Sequence, residues 1–209
     1  VQTNDGILWI GTYGGLYRYN GKEFVWIDEY DSIKSVNCMY LDEEGRLWIG
    51  TNDNGLSIMI NEQVANVVSE KDGLSDDAVK CITQGTDGCY YVGTTGKMSV
   101  LSMAGGLSVK KVIDDVTYAV SIDADKSGNV AAVSDSGKLS IIRDTDVISQ
   151  YVPADGSTYT TCTFDEDGIL YAGTSADSID VYRVDEGILT LIDNHKCNEL
   201  KNIKSLKFV

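Results

Sequence analysis

The sequence predicts an all-β fold, a β-propeller built of five four-stranded blade repeats. Three observations support this prediction. An eight-residue segment occurs five times along the 209 residues, and no segment has the 3.6-residue apolar period of an amphipathic helix. The 21 glycines and single proline suit tight turns between short strands.

The recurring segment sets the length of the repeat. Its copies are "DGILWIGT" (5–12), "EGRLWIGT" (44–51), "DGCYYVGT" (87–94), "SGNVAAVS" (127–134) and "DGILYAGT" (167–174). Successive copies lie 39 to 43 residues apart. That spacing is typical of one four-stranded propeller blade.

Each repeat is predicted to contain four short strands. The first is a β-rich run before an acidic turn, such as "VKCITQ" (79–84), and the second is the "LWIGT" run. That second run is apolar at consecutive positions, as expected for a strand buried on both faces. The third strand follows a glycine turn, as in "GLYRY" (15–19), and the fourth is more exposed, as in "KEFVWI" (22–27).

A single four-stranded sheet cannot cover both of its faces, so neighbouring repeats must stack. Stacking around an axis gives a propeller, which leaves only short outer edges exposed. We therefore expect Trp9 and Trp48 to fill the space between blades. Gly11 and Gly50 are expected to allow the next strand to approach closely.

Residues 1–209 are interpreted as a single propeller domain or as a segment of a larger propeller. Val1 enters at a register equivalent to Thr83 in a first strand. The stretch 203–209 either closes the ring by pairing into the first blade or begins a next blade. The approximate repeats are 1–35, 36–78, 79–118, 119–158 and 159–202.

Composition excludes several classes of partner. The formal net charge of −15 argues against nucleic acid, because a phosphate-binding surface needs Lys and Arg. No apolar run reaches the length of a membrane span, so we expect no direct membrane insertion by this segment. The five cysteines include no C-x-x-C pair, which predicts neither a disulfide framework nor a zinc site. We expect no cofactor.

The stretch "DGILWIGTYGGLYRYNGKEF" (5–24), with "DGLSDDAVKCI" (72–82), closely resembles the two-component regulator propeller repeat. The resemblance is clear in the first three repeats and weaker in the last two. In that bacterial family the repeats form the extracytoplasmic sensor region of membrane-anchored hybrid histidine kinases or diguanylate cyclases. The resemblance implies a non-catalytic, ligand-sensing module on the periplasmic or cell-surface side. Any catalysis is then expected in a separate output domain, with other receptor subunits, such as a dimer, as partners.

The ligand is expected on the propeller face that carries the longer and more varied loops. Those loops join the second strand to the third and the fourth to the next first strand. Their aromatic and polar side chains fit a small polar or carbohydrate-like ligand. The alternative is that Asn, Asp and Gly serve the turns and that the carboxylates form a solvated rim. The candidate residues are Tyr13, Tyr30, Asn52, Asp53, Asn54, Asp72, Asp76 and Asp77.

A metal site is weakly indicated. In "DADKSG" (123–128), Asp123, Asp125 and Ser127 alternate as in the start of a calcium loop. The twelfth position is Ser134 instead of a bidentate Glu, and equivalent segments of other repeats are acidic turns. We therefore favour the interpretation as an acidic β-turn.

Two other functions remain open. A protein-interaction scaffold predicts a broad exposed apolar or aromatic patch on one face, whereas a small-ligand sensor predicts a closed polar pocket on the axis. A propeller lyase or hydrolase is the less favoured alternative. It would have to use His195, the only histidine, which is expected in a loop.

Overall fold

The computed structural model describes residues 1–3, 5–196 and 203–207. It is an all-β structure of five antiparallel sheets whose strands follow chain order within each sheet. The predicted fold class is confirmed. Two short 3-10 turns, Asp31–Ile33 and Glu70–Asp72, lie in the connections between sheets.

The sheets are numbered here as blades one to five. Blade one contains β1 (Leu8–Thr12), β2 (Gly15–Tyr19) and β3 (Phe24–Ile27). Blade two contains β4 (Val36–Leu41), β5 (Leu47–Thr51), β6 (Leu56–Ile60) and β7 (Gln63–Val68). Blade three contains β8 (Val79–Gln84), β9 (Tyr90–Thr94), β10 (Lys97–Ser102) and β11 (Ser108–Thr117).

The last two blades follow the same order. Blade four contains β12 (Ala119–Ala124), β13 (Val130–Ser134), β14 (Leu139–Arg143) and β15 (Asp146–Tyr151). Blade five contains β16 (Tyr159–Phe164), β17 (Ile169–Thr174), β18 (Ser178–Asp185) and β19 (Ile188–Lys196). The first strand of blade three, β8, coincides with the β-rich run 79–84 that the sequence predicts as a first strand.

Blade one has three full strands. Its inner position holds only the start of the chain, where Gln2 forms an antiparallel bridge with Leu8. The backbones of Val1 and Trp9 exchange hydrogen bonds of 2.8 and 3.1 Å. Val1 is thus opposite Trp9, as Tyr40 is opposite Trp48 in blade two, which matches the predicted register.

The core lies between the blades, as the stacking argument requires. Trp9 packs with Leu47 and Ile49 across the first interface, and Trp48 packs with Tyr90 across the second. Both tryptophans are buried. Their role between blades is therefore the structural one expected from the repeat.

The marker glycines let the next blade come close. A Cβ on Gly50 would lie 2.5 Å from both Cys38 Sγ and Val79 Cγ1. A Cβ on Gly173 would lie 3.0 Å from Ile203 Cγ2. Because Val79 begins the inner strand of the following blade, Ile203 lies where the inner strand after blade five would start.

Candidate functional site

Inner strands of blades three, four and five line a partly open polar cavity of about 790 Å³ on the inner side of the fold, called here the axial cavity. Its walls come from β8, β12 and β16 and from the segment 204–207, with Tyr40 of blade two. It extends to the acidic turns at 125–126 and 165–167, which join first strands to second strands. The axial cavity therefore reaches the face opposite the one predicted to carry the ligand.

Hydrogen bonds between inner strands shape the wall of this cavity. Asp123 of blade four accepts hydrogen bonds from Thr163 Oγ1 at 2.9 Å and from the backbone N–H of Phe164 at 2.8 Å. Ser121 Oγ accepts from the backbone N–H of Cys162 at 3.1 Å. These bonds cross from blade four to blade five, so the polar side chains hold neighbouring inner strands in register.

A second cavity of about 450 Å³ lies beside the first, among the turns of blades two to four. Both cavities are lined by Tyr40, Asp125 and Lys126. Partial burial raises the pKa of Tyr40, and the carboxylates of Asp42, Glu43 and Asp123 add to this effect, although a hydrogen bond involving the Gln84 backbone opposes it. The hydroxyl therefore stays protonated and able to donate a hydrogen bond at the boundary between the cavities.

Charges of both signs border the axial cavity. The anionic side chains are Asp123, Asp125, Asp165, Glu166 and Asp167, and the cationic ones are Lys126, Lys204 and Lys207. Among the described residues, none of these three lysines forms an ion pair. The wall therefore offers ammonium donors and carboxylate acceptors to a polar molecule.

The thiols near the axis are not suited to nucleophilic chemistry. Burial raises the pKa of Cys38 and that of Cys162 to about 12, and it also raises the pKa of Cys81. A thiol with such a pKa carries almost no thiolate at neutral pH, and the thiolate is the reactive form. Cys197 lies outside the described residues.

The sequence-predicted site residues lie on the loop-rich face, and most of them serve the loops themselves. Asp72 Oδ2 accepts from Ser69 N and Ser69 Oγ at 3.0 and 2.9 Å, closing a capping box. Asp76 accepts from the backbone N–H of Ala78, and Asp77 accepts from that of Glu70, both at 2.8 Å. These contacts fit the turn-forming interpretation of the three carboxylates.

The candidates Asn52, Asp53 and Asn54 lie in the loop 51–55 on the same face. Asn52 Oδ1 accepts from Lys80 Nζ at 3.2 Å, and Asn54 Nδ2 donates to Asp53 Oδ1 at 3.0 Å. Gly55 N donates to Asp77 O at 2.9 Å, which joins the loop 51–55 to the loop 69–77. The structure thus brings Asn52, Asp53, Asn54, Asp72, Asp76 and Asp77 onto two adjoining loops.

The two candidate tyrosines differ in their surroundings. Tyr30 packs against the core between blades one and two. Tyr13 is 86% exposed. None of the sequence-predicted ligand residues lines either cavity.

The weak metal candidates are engaged in turn and strand contacts. Asp125 Oδ1 accepts from the backbone N–H groups of Ser127 and Asn129, both at 2.8 Å. Asp123 binds across to blade five, as described above. Within the described part of the chain, no three His, Cys, Asp or Glu side chains are grouped to hold a metal ion.

The prediction that His195 lies in a loop is wrong. It belongs to the long outer strand β19, opposite Ile179, and its Nε2 lies 3.3 Å from Asp193 Oδ2. The strand pairing of β18 and β19 continues to Lys196, so β19 has nine residues where β7 and β15 have six. His195 does not line either cavity.

The sequence carries a signal for the wall of the axial cavity. Ser121 and Asp123 are the polar residues of β12, and Thr161 and Thr163 stand at the equivalent alternate positions of β16. A polar position that recurs in an inner strand indicates a surface that faces the axis. The Lys residues of 204–207 could not be placed there without knowing where that segment packs.

Comparison with known proteins gives one family match. The model described as Two component regulator propeller matches residues 32–53, which include the whole of β4 and β5. This match confirms the resemblance for the repeat in blade two. No curated protein sequence matches the chain.

Many solved structures share the fold. The extracellular domain of a putative hybrid two-component system from B. thetaiotaomicron matches at 20% identity with a TM-score of 0.72, covering 92% of this chain and 27% of that one. The chain therefore spans about a quarter of that structure's length. At this identity the likeness establishes the fold alone.

Two further structures extend the comparison. A catalytically inactive virginiamycin B lyase from Staphylococcus aureus with quinupristin matches at 14% identity with a TM-score of 0.74, covering 94% of this chain and 68% of that one. The WD40 β-propeller domain of Doa1 matches at 13% identity with a TM-score of 0.69, covering 88% and 62%. Signalling, catalytic and WD40 propellers thus all share this architecture. Among the described residues, no helix is long and apolar enough to cross a membrane.

Proposed function

We propose that this chain is the ligand-sensing propeller module of a membrane-anchored, extracytoplasmic signal-transduction receptor, without catalysis of its own. The observation that carries the proposal is the polar axial cavity, lined by inner strands of consecutive blades. The regulator-propeller match over 32–53 and the fold similarity to an extracellular domain of a hybrid two-component system support the receptor context.

The cavity wall favours a small polar or carbohydrate-like ligand. Tyr40 can donate a hydrogen bond, Lys126 can donate from an ammonium group, and the carboxylates of Asp165 and Asp167 can accept. Ligand sites combine a few such groups with an apolar surface, which Ile82 and Leu206 supply here. A neutral or zwitterionic molecule with several hydroxyl groups matches this wall.

The position of the cavity suggests how binding is sensed. A ligand on the axis contacts inner strands from several blades and the segment 204–207 at once. It therefore favours those arrangements of the blades in which all of its contacts are made. The module passes this preference to the output domain of the proposed receptor, where the other receptor subunits respond.

The test is a thermal-shift screen of neutral and charged saccharides, followed by calorimetric titration of each hit. We expect Tyr40→Phe combined with Lys126→Ala to weaken binding about tenfold or more, because two hydrogen-bond donors are removed. Tyr13→Phe is the matched control on the loop-rich face and should bind as the wild type does.

A different result of these experiments would support another binding site or another function. Loss of binding in Tyr13→Phe with retention in the Tyr40 variant would move the ligand to the loop-rich face of Asn52, Asp53 and Asp72. The fold similarity to virginiamycin B lyase calls for incubation with quinupristin. Turnover that disappears in His195→Ala would replace the sensor proposal with an enzyme.

A further inference from the structure

The dipeptide Asn-Gly occurs twice in the chain, at 20–21 and at 54–55, in two different surroundings. An asparagine before glycine is prone to lose ammonia, because glycine has no side chain to keep its backbone nitrogen away from the asparagine amide. Asn20 and Gly21 lie in the exposed turn between β2 and β3. Asn54 is half-buried and Gly55 is buried. The two copies therefore form a natural comparison within one molecule.

The exposure of the turn 20–23 is a property of the blades in general. In blades two, four and five, the residue directly after β6, β14 or β18 occupies the same place as the residue after β2. These residues, Asn61, Asp144 and Glu186, are exposed although each of their blades has a preceding neighbour. Water therefore reaches this kind of turn wherever the blade stands in the fold.

The side-chain amide of Asn20 is held in a defined position by its own turn. Its Oδ1 accepts hydrogen bonds from the backbone N–H groups of Lys22 and Glu23, both at 3.0 Å. Its Nδ2 lies 3.4 Å from Glu23 Oε1. Within the described part of the chain, the backbone N–H of Gly21 donates no hydrogen bond. The amide carbon is thus polarised, and the nitrogen next to it in the chain is available.

We propose that Asn20 is a modification site, at which this turn promotes spontaneous deamidation of the side chain. The Gly21 nitrogen attacks Asn20 Cγ, so that a new C–N bond forms and closes a succinimide ring. The Cγ–Nδ2 bond then breaks, and Nδ2 leaves as ammonia with the proton that the Gly21 nitrogen has lost. Water opens the succinimide at either ring carbonyl and leaves aspartate or isoaspartate at position 20.

The contacts of the turn match what this reaction requires. Negative charge develops on Asn20 Oδ1 during the attack, and the N–H groups of Lys22 and Glu23 already point at that oxygen. The Glu23 carboxylate lies beside Nδ2, where it can take the proton from the Gly21 nitrogen and deliver it to the departing ammonia. The nucleophile and the amide belong to adjacent residues, so the ring closes without an encounter between molecules.

The second dipeptide lacks this freedom. The backbone nitrogen of Gly55 donates to the carbonyl oxygen of Asp77 at 2.9 Å, which occupies the N–H that the reaction must remove. A Cβ on Gly55 would clash with the carbonyl oxygen of Val68, so the backbone is closely packed there. The backbone nitrogen of Asn54 donates to Thr51 Oγ1 at 2.9 Å. We therefore expect the fold to protect Asn54.

Deamidation would alter the hairpin of β2 and β3. The product adds a negative charge beside Glu23 in a chain whose net charge is already −15. Isoaspartate also lengthens the backbone by one carbon, which moves the side chain away from the N–H groups of Lys22 and Glu23. The modified turn thus loses the contacts that hold the native one.

The experiment follows both dipeptides by peptide mass spectrometry, with the whole chain incubated folded in neutral buffer and, in parallel, unfolded in urea. In urea the two asparagines should deamidate at similar rates, because only the local sequence acts there. In the folded chain Asn20 should react about tenfold or more faster than Asn54, because the turn promotes one reaction and packing hinders the other. Equal rates at the two sites of the folded chain overturn the proposal.

The variant Glu23→Gln tests the carboxylate. It should slow deamidation of Asn20 in the folded chain about tenfold and leave the rate in urea near that of the wild type. Lys22→Gln changes the neighbouring side chain but keeps both backbone N–H donors, so this control should react as the wild type does. An unchanged folded-state rate in Glu23→Gln would overturn the promoting role of the turn. So would an Asn20 that reacts more slowly in the folded wild type than in urea.

Discussion

At the residue scale, a buried carboxylate holds blades two and three together. Asp42 is 4% exposed, and its Oδ2 accepts from Trp48 Nε1 at 2.8 Å, Arg46 Nε at 2.6 Å and Tyr90 OH at 3.0 Å. The rings of Trp48 and Tyr90 stack with centroids 3.8 Å apart. Asp42 in the acidic turn and Trp48 of blade two thus both contact Tyr90 of blade three and hold the two blades together.

Replacing Asp42 by Asn should lower the free energy of unfolding by about 3 kcal/mol, because a buried carboxylate with a cationic and two neutral donors is lost. Urea denaturation at pH 7 measures this. Glu29→Gln changes an exposed carboxylate and should leave stability near that of the wild type. An equal effect of both substitutions would contradict the structural role of Asp42.

The same residue predicts a pH dependence. Desolvation acts to raise the pKa of Asp42, but hydrogen bonds from Trp48, Arg46 and Tyr90 outweigh it and hold the pKa below the ordinary value. A carboxyl with a lowered folded-state pKa stabilises the fold above the unfolded-state pKa of about 3.9 and loses this contribution as pH falls through the folded value. The stability difference between wild type and Asp42→Asn should therefore be full at pH 7 and shrink below about pH 4.

At the element scale, the segment 203–207 behaves as the beginning of an inner strand. Ile203 is 8% exposed and packs against Gly173, as Val79 packs against Gly50. Thr160 Oγ1 donates a hydrogen bond to the carbonyl oxygen of Ile203. The segment thus covers the inner edge of blade five, a position required both for ring closure and for a further blade.

Ile203→Ala should destabilise blade five by about 2 kcal/mol, because a buried aliphatic side chain is truncated against a close-packed strand. Hydrogen exchange of the amides in β16 and β17 would locate the effect, and urea denaturation would give its size. Lys204→Ala is the neighbouring control and should be neutral. Unchanged exchange in β16 and β17 would mean that the segment does not support the blade.

At the scale of the whole molecule, repulsion among the excess negative charges lowers the stability of the folded state. The 32 acidic side chains exceed the 17 Lys and Arg side chains, and carboxylates gather at the turns and on the loop-rich face. Like charges on a folded chain repel, and salt screens them. The propeller fold tolerates this charge because its core lies between blades, where the repeat positions are apolar.

The melting temperature should therefore rise by several degrees between about 0.01 M and about 0.3 M NaCl, as the screening length falls from roughly 30 Å to below 8 Å. KCl at the same ionic strength is the control for general screening and should give the same rise. A melting temperature that falls with salt would show that attractive ion pairs, such as that of Lys97 and Asp114, outweigh the repulsion.

Part of the candidate site could be predicted from the sequence, and part could not. Asn52, Asp53 and Asn54 were predicted to share a face because antiparallel steps reverse direction, and they do lie on adjoining loops with Asp76 and Asp77. The residues that line the axial cavity could not be predicted, because its wall joins Tyr40, Asp123 and the segment 204–207, which are far apart in the chain. His195 was assigned to a loop because no local signal marks the extra length of β19.

The sequence alone determined the repeat, the order of strands, the positions of Trp9 and Trp48 and the need for Gly50, because periodic burial and turn chemistry act over a few residues. The tertiary structure decided which polar side chains meet on the axis. That depends on the packing of blades around a common centre, which brings together residues more than a hundred positions apart.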